Sequence, residues 1–493
     1  METFDRLREY SQELIALHHT LALLQWDQEV RMPRRATEGR AQQFAVVSSL
    51  IHRREVAAEL GGLLAEAQER QEGWSVPQRA LLRVMRRRYE QSSRLPESFV
   101  ADFARLTSQA QEKWLTARER SDFSLFQPAL ERLVEMARRQ AEYLGYPEHP
   151  YDALLDLYEE GLATARVTRI FTALREPLVG LVDRLAGRLA PLDFAEPFAS
   201  AAQERFAEEL LRAIGFDFNR GCLARSAHPF TTTLDHHDRR ITNRYAPHGL
   251  DYIFGALHEG GHALYEQGIA EDLANTHLDD GVSLGIHESQ SRLWENVIGR
   301  SPAFWQHFFP ELQKAFPVQF RGMALARFLR GINAVQPGLI RVDADEVTYN
   351  LHVLIRFELE KGLIEGRIQV ADLPALWREK YRRYLGVEVD SDANGLLQDI
   401  HWAHGSFGYF PTYTLGNLAA AQIWQAYRRD DPEAEAAIAA GNLARVREWL
   451  TARIYAHGSV YQPGELLLRV SGEELSERHF LHYLDEKFAR LLA

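Results

Sequence analysis

The stretch Leu257-His258-Glu259-Gly260-Gly261-His262-Ala263-Leu264-Tyr265 constrains this chain more than any other. Two histidines stand four residues apart, with a glutamate directly after the first. On an α-helix, side chains at i and i+4 share one face a turn apart. Both imidazoles can then reach one ion at about 2.0–2.1 Å. Glu259 is rotated by roughly 100° from His258, so its carboxylate misses the ion and meets a water bound to it. A general base needs that placement, beside a water whose pKa a zinc ion lowers to about 7. The His-Glu-x-x-His pattern therefore reads as the core of a metallopeptidase. The plain alternative is a fortuitous helical pair in a chain with 19 histidines. Apolar residues on both sides, Tyr252-Ile253-Phe254 and Ala263-Leu264-Tyr265, fit a buried helix. Gly260 and Gly261 cost such a helix about 1 kcal/mol each relative to alanine. They make sense if something packs against the helix there, or if a substrate backbone must come close.

Length allows several domains, but no Gly/Ser/Pro-rich linker divides the 493 residues. A single domain over 1–493 is expected, with a helical part at 1–215 and a part at 216–493 carrying the metal motif. A hydrophobic content of 46% supports a large core. The net charge of −12 argues against nucleic-acid binding. One cysteine, Cys222, excludes an intrachain disulfide framework; its expected role is that of a small buried hydrophobe. The first ten residues are charged and amphipathic and lack the apolar core of a signal peptide. The uncharged run from Ile400 to Tyr427 is rich in His, Gly, Thr, Asn and Gln and contains Pro411, so it is no membrane span. The cytoplasm is the expected compartment.

Helical periodicity starts at once, with Phe4, Leu7, Tyr10, Leu14, Leu17, Leu21 and Leu24 recurring at threes and fours. It predicts helices over 1–30, 34–72 and 78–94, two across 96–145 with the second after Pro128, one opening at Pro150, and others over 166–190 and 199–215. Near residue 216 the pattern changes. Phe216-Asp217-Phe218, His228-Pro229-Phe230-Thr231-Thr232-Thr233-Leu234 and Arg240-Ile241-Thr242-Asn243-Arg244-Tyr245 are β-branched and aromatic with turn punctuation, which predicts a small sheet or hairpin. Helices then resume with the metal motif and continue over 284–298, 302–314, 318–331, 345–364, 371–385, 414–428, 432–440, 443–455 and 473–492. The class is mainly α with a minor β element, and no fixed-period repeat marks a solenoid.

A catalytic zinc needs a third protein ligand and an open position for water. Downstream candidates are Glu266, Asp279, Asp280, Glu288 and Glu295. Glu266 shares the helix face but lies about 6 Å beyond His262 by helical rise, so its carboxylate would have to bend back. Glu288 and Glu295 sit on a second amphipathic helix that could cross the first, and spacing does not choose between them.

Several ordered motifs bear on that choice: Leu23-Leu24-Gln25-Trp26-Asp27-Gln28-Glu29 with Met32-Pro33, His228-Pro229-Phe230, Asp238-x-Arg240-x-Thr242, His287-Glu288-Ser289-Gln290, Ile340-Arg341-Val342-Asp343-Ala344-Asp345, and Gly395-Leu396-Leu397-Gln398-Asp399-Ile400-His401-Trp402. Together with the metal motif they resemble the carboxypeptidase Taq family of zinc carboxypeptidases, and they span most of the chain. The resemblance implies Glu288 as third ligand, a mostly helical fold with a deep groove like that of neurolysin, a homodimer, and release of single C-terminal amino acids with broad specificity. The segment Thr233-Leu234-Asp235-His236-His237-Asp238 departs from the pattern, with two histidines and an aspartate where a glycine-rich turn is expected.

On this reading His258, His262 and Glu288 hold one Zn²⁺, for which Co²⁺ can substitute, and Glu259 is the general base. Tyr409 is the candidate oxyanion donor, with a packed tyrosine beside a glycine-rich turn as the plain alternative. A free substrate carboxylate calls for a guanidinium fork. Arg341 is favoured over Arg240, against the alternative of an internal ion pair from Arg341 to Asp343 or Asp345. His228, His401 and Trp402 are expected to line the site. The rivals are an endo-oligopeptidase of the neurolysin type, which needs no carboxylate-binding arginine, and a helical scaffold without catalysis. A zinc aminopeptidase would need a Gly-x-Met-Glu-Asn element that is missing from the sequence.

Overall fold

The computed structural model describes residues 2–493. Helices dominate it, and its three short strands form one sheet. The chain divides into two compact units, each gathered from three stretches: Met1–Ser93, Leu192–Leu329 and Ala420–Leu475 in the first, Arg94–Pro191, Arg330–Ala419 and Ser476–Ala493 in the second. Among the described residues no helix is long and apolar enough to cross a membrane.

Each unit is built around one helix buried on nearly every face. In the first it is Asp251–Gln267, the metal-motif helix, where Ile253, Ala256, Leu257, Ala263 and Tyr265 are wholly buried. It packs between the helices Ser200–Ile214 and Leu284–Arg292 and under the sheet. In the second it is Thr348–Glu365, enclosed by Gln127–Leu144, Pro150–Asp156, Thr164–Leu185 and Leu373–Leu385. A helix hydrophobic all round belongs in a core. Thr348–Glu365 ends at Gly366, whose φ of 79° is the left-handed conformation that closes a helix most cheaply with glycine.

Periodicity placed most helices to within a few residues, and the departures have local causes. The span 34–72 is two helices, Thr37–Glu55 and Ala58–Arg70, parted at Val56-Ala57. The helix expected over 318–331 forms only from Leu325 to Ile332, because Gly322 takes a positive φ of 67°. A helix at Pro463–Ser471 was not anticipated. The span 284–298 is α-helical to Arg292 and then widens into a π-helix over Leu293–Ile298.

The sheet order is β1-β3-β2, with β1 Leu223–Arg225, β2 Thr231–Asp235 and β3 Asp238–Asn243. β2 and β3 form the anticipated hairpin, and β1 adds parallel to β3 with Leu223 opposite Ile241. Phe216–Phe218 lies outside it: the two rings stack edge to face at 4.8 Å before the first strand. Side chains two apart on a strand share a face, so Arg239 and Ile241 of β3 are buried while Arg240 points the other way.

Candidate metal centre

Backbone proximity assembles this site. A Cβ on Gly261 would lie 2.5 Å from the Gln290 carbonyl oxygen and 2.7 Å from Ser291 Cα, so only glycine lets the helix Leu284–Arg292 come this close. Gly260 serves the opposite face, where a Cβ would strike Ile214 and Leu211 at 2.7 and 2.8 Å. Both glycines answer to packing against neighbouring helices.

The close crossing brings Glu288 to the two histidines. Its Oε2 lies 3.7 Å from His258 Nε2 and 3.5 Å from His262 Nε2, and the three donor atoms fall within 4.8 Å of one another. Both imidazoles present Nε2 to the same point, because each Nδ1 is engaged behind it. His258 Nδ1 is 2.9 Å from Glu295 Oε2. His262 Nδ1 is 2.5 Å from His287 Nδ1, and His287 Nε2 is 2.6 Å from Glu266 Oε1. Metal-binding histidines characteristically have their second nitrogen held in this way. Two nitrogens and a carboxylate oxygen suit a zinc-class ion, and the half-buried Nε2 pair with buried Glu288 is a donor set that fits one.

Arg292 organises the acids. Its Nε donates to Glu288 Oε1 at 2.6 Å and its Nη1 to Glu295 Oε2 at 3.1 Å. Burial alone would raise the pKa of both glutamates, but Arg292 and His258 bring it down, to about 2 for Glu295 and well below the usual range for Glu288. Burial depresses His262 to about 4, which keeps a nitrogen lone pair available. His258 would be depressed likewise, but Glu288 and Glu295 raise it.

Glu259 is buried beside this cluster. Thr231 Oγ1, from β2, donates to Glu259 Oε2 at 2.7 Å, and Thr233 Oγ1, two residues along the strand, donates to Glu266 Oε2 at 3.2 Å. Burial raises the Glu259 pKa against the opposing effect of His258 and Thr231. Such a carboxylate is a better proton acceptor than one in water.

The remaining sequence candidates are placed as follows. In the first unit, Arg240 closes its fork on Asp238 at 2.8 and 2.6 Å and lies 4.5 Å over the Trp26 ring. It borders a cavity of about 530 Å³ with His19, Leu23, Asp235 and Asp238. His228 is exposed, and its carbonyl accepts from Ser226 Oγ at 2.6 Å. The other four belong to the second unit, where Trp402 is buried and donates its indole N–H to Glu360 Oε1 at 2.8 Å. Arg341 is buried, with Nε and Nη2 donating to Asp399 Oδ1 at 3.0 and 2.8 Å and Nη1 to Tyr349 at 2.8 Å. Its acid is thus Asp399, which also takes Arg356, and Asp345 instead caps the helix at Thr348. His401 Nε2 is 3.1 Å from the Tyr413 hydroxyl, and burial pushes its pKa down to about 3. Tyr409 is half-buried among Tyr158, His401 and Tyr413, at centroid distances of 5.2, 5.3 and 5.3 Å.

Spacing gave no role to His287, Arg292 or Thr231. His287, immediately before a candidate ligand, carried the one signal that was available in advance.

A family model for the carboxypeptidase Taq (M32) metallopeptidases matches residues 6–488. The chain is 42% identical to thermostable carboxypeptidase 1 of Thermus thermophilus and 39% identical to carboxypeptidase 1 of Bacillus subtilis, each over 99% of this chain and 98% of the relative. It superposes on the crystal structure of the M32 carboxypeptidase from Deinococcus radiodurans with a TM-score of 0.97, at 39% identity and 99% coverage of both chains.

Proposed function

Because the chain belongs to the carboxypeptidase Taq (M32) family and is a metallocarboxypeptidase, we propose that His258, His262 and Glu288 hold one zinc ion and that Glu259 is its general base. The observation that carries this is the convergence of two Nε2 atoms on Glu288 Oε2 at 3.7 and 3.5 Å, with Glu259 buried alongside. A bound zinc ion lowers the pKa of its water and polarises the scissile carbonyl. Glu259 takes the proton from the attacking water and returns it to the leaving amine. Thr231 holds the Glu259 side chain in one rotamer while this happens. Glu295 on His258, and Glu266 through His287 on His262, keep the ring nitrogens in the tautomer that leaves Nε2 unprotonated. Cobalt can replace zinc in such a donor set.

Substrates are peptides with a free C-terminal carboxylate, released one residue at a time. Arg341 and Arg240 are the candidate carboxylate forks, and each must exchange an acid already in its grip, Asp399 or Asp238. Arg240 is the easier to reach, with 23% of its side chain exposed against 6% for Arg341. Tyr409 is proposed as oxyanion donor, with His228 and His401 lining the site. A cytoplasmic homodimer belongs to the same proposal, and sedimentation velocity tests the dimer.

The deciding experiment is mass-spectrometric product analysis of one peptide and its C-terminal amide. A ladder shortened from the C-terminus, absent with the amide, is expected. Internal fragments from both substrates would mean an endo-oligopeptidase. Arg240→Ala and Arg341→Ala then identify the fork: the true one loses its preference for acid over amide.

A further inference from the structure

Away from the metal centre, the tip of the β2–β3 hairpin carries a second group of donors. His236 and His237 form its two-residue loop, between the paired residues Asp235 and Asp238. Adjacent side chains on an extended strand point to opposite faces, but this turn brings the two rings within 4.9 Å of each other. Glu271, from the 3-10 turn Glu271–Leu273, closes the triangle. Its Oε2 lies 3.3 Å from His236 Nε2 and its Oε1 lies 3.3 Å from His237 Nε2.

Two features separate this from a pair of surface ion pairs. Charge-assisted N–H···O contacts draw in to about 2.7–2.9 Å, and both contacts here are longer. Donors around a tetrahedral zinc with bonds of about 2.0–2.1 Å are instead about 3.3 Å apart. Moreover, His236 is buried with its other nitrogen already fixed: Nδ1 is 2.9 Å from Asp279 Oδ1. That carboxylate also takes Arg239 Nη2 at 2.6 Å, so it is itself held in place. A carboxylate behind the ring, turning Nε2 outward, is the arrangement that orients a metal-binding histidine.

We propose that His236, His237 and Glu271 form a second, surface site for a zinc-class divalent cation, with solvent completing the coordination. The cation ties the hairpin tip to the Glu271–Leu273 turn.

The test uses the full-length untagged protein, stripped with chelator and re-equilibrated at buffered micromolar free zinc, with bound metal counted by inductively coupled plasma mass spectrometry. Wild type is expected to hold two equivalents. H237A and E271Q, both at exposed positions, are expected to hold one and to hydrolyse peptide as wild type does. H258A is expected to hold one and to lose hydrolysis. Replacement by Co²⁺ should give two separable absorption envelopes in wild type and one in H237A. A single equivalent in wild type, lost in H258A and unchanged in H237A, overturns the second site and leaves the metal centre standing; the histidines then make ion pairs only. Two equivalents persisting in the H237A/E271Q double variant overturn it as well.

Discussion

As the proposed general base, Glu259 meets two demands at once. It must be buried to be basic, and it must be held to be aimed. Burial raises its pKa, and the Thr231 hydroxyl at 2.7 Å fixes its Oε2. Glu259→Gln keeps an oxygen for Thr231 and removes only the basic group. General-base catalysis is worth about 10²–10⁴-fold, so kcat is expected to fall by that much while metal content stays at the wild-type level. Near-normal turnover would remove the assignment. Glu288 is different in kind, because among the described residues it is the one carboxylate within 4 Å of both Nε2 atoms. Glu288→Ala is expected to lose metal at equilibrium dialysis, whereas retained metal would transfer the ligand role to another acid. The sequence offered Glu288 and Glu295 as equals for a physical reason: seven residues is nearly two helical turns, so both fall on one face. What separates them is depth along the crossing and the π-helix from Leu293, which leaves Glu295 behind the ring at His258 Nδ1. The motif resemblance selected Glu288; periodicity held no information on it.

At the scale of elements, glycine has opposite meanings in two helices. Gly62, exposed in Ala58–Arg70, has open space where a Cβ would go, so Gly62→Ala is expected to stabilise by about 0.5–1 kcal/mol through helix propensity. Gly261→Ala gains the same propensity but drives a methyl into the Gln290 carbonyl and Ser291 Cα at 2.5 and 2.7 Å. Overpacking of that kind costs about 1–3 kcal/mol. Net destabilisation in denaturant titration, with weakened metal binding as Glu288 is pushed away, is expected. A stabilised, metal-replete variant would show that the crossing tolerates the methyl. The helix at the core of the second unit also mixes burial with ionisable groups, spacing His352, Arg356 and Glu360 four apart, all fully buried. Arg356 is answered by Asp399 at 2.7 Å. Glu360 accepts from Tyr151, Trp402 and Gly408 at 2.6, 2.8 and 3.0 Å, yet burial raises its pKa to about 7. A raised folded-state pKa means the native protein binds the proton more tightly than the unfolded chain. The associated stability is present in full below the ordinary glutamate value and is lost as pH climbs to about 7. Urea unfolding of wild type minus Glu360→Gln should therefore fall across that window, and a flat difference would contradict it. None of this was legible from hydrophobic period, which marks a helix as buried without saying which polar groups its neighbours will satisfy.

At the scale of the whole molecule, neither unit is continuous in sequence, and each has its own buried helix. They are braced differently. Arg356, Glu360 and His352 Nδ1 of Thr348–Glu365 are met by Asp399, Tyr151, Trp402 and Tyr381, while His352 Nε2 is buried without a hydrogen-bond partner among the described residues. The Asp251–Gln267 helix instead presents two Nε2 atoms to Glu288 of Leu284–Arg292, the donor set proposed to hold a cation. A ligand bound only by the native state adds stability as RT ln(1 + [L]/Kd), about 4 kcal/mol at a thousandfold excess over Kd. Removing the metal should therefore weaken 251–298 and leave 348–365 as it was. Hydrogen exchange with and without chelator checks this: protection is expected to drop in Asp251–Gln267 and Leu284–Arg292 and to hold in Thr348–Glu365. An equal loss in both helices would mean that the two units unfold as one cooperative body, with the metal as keystone for all of it. A loss confined to the first would make metal release a local opening, which a loaded cation could reverse without refolding the rest of the chain.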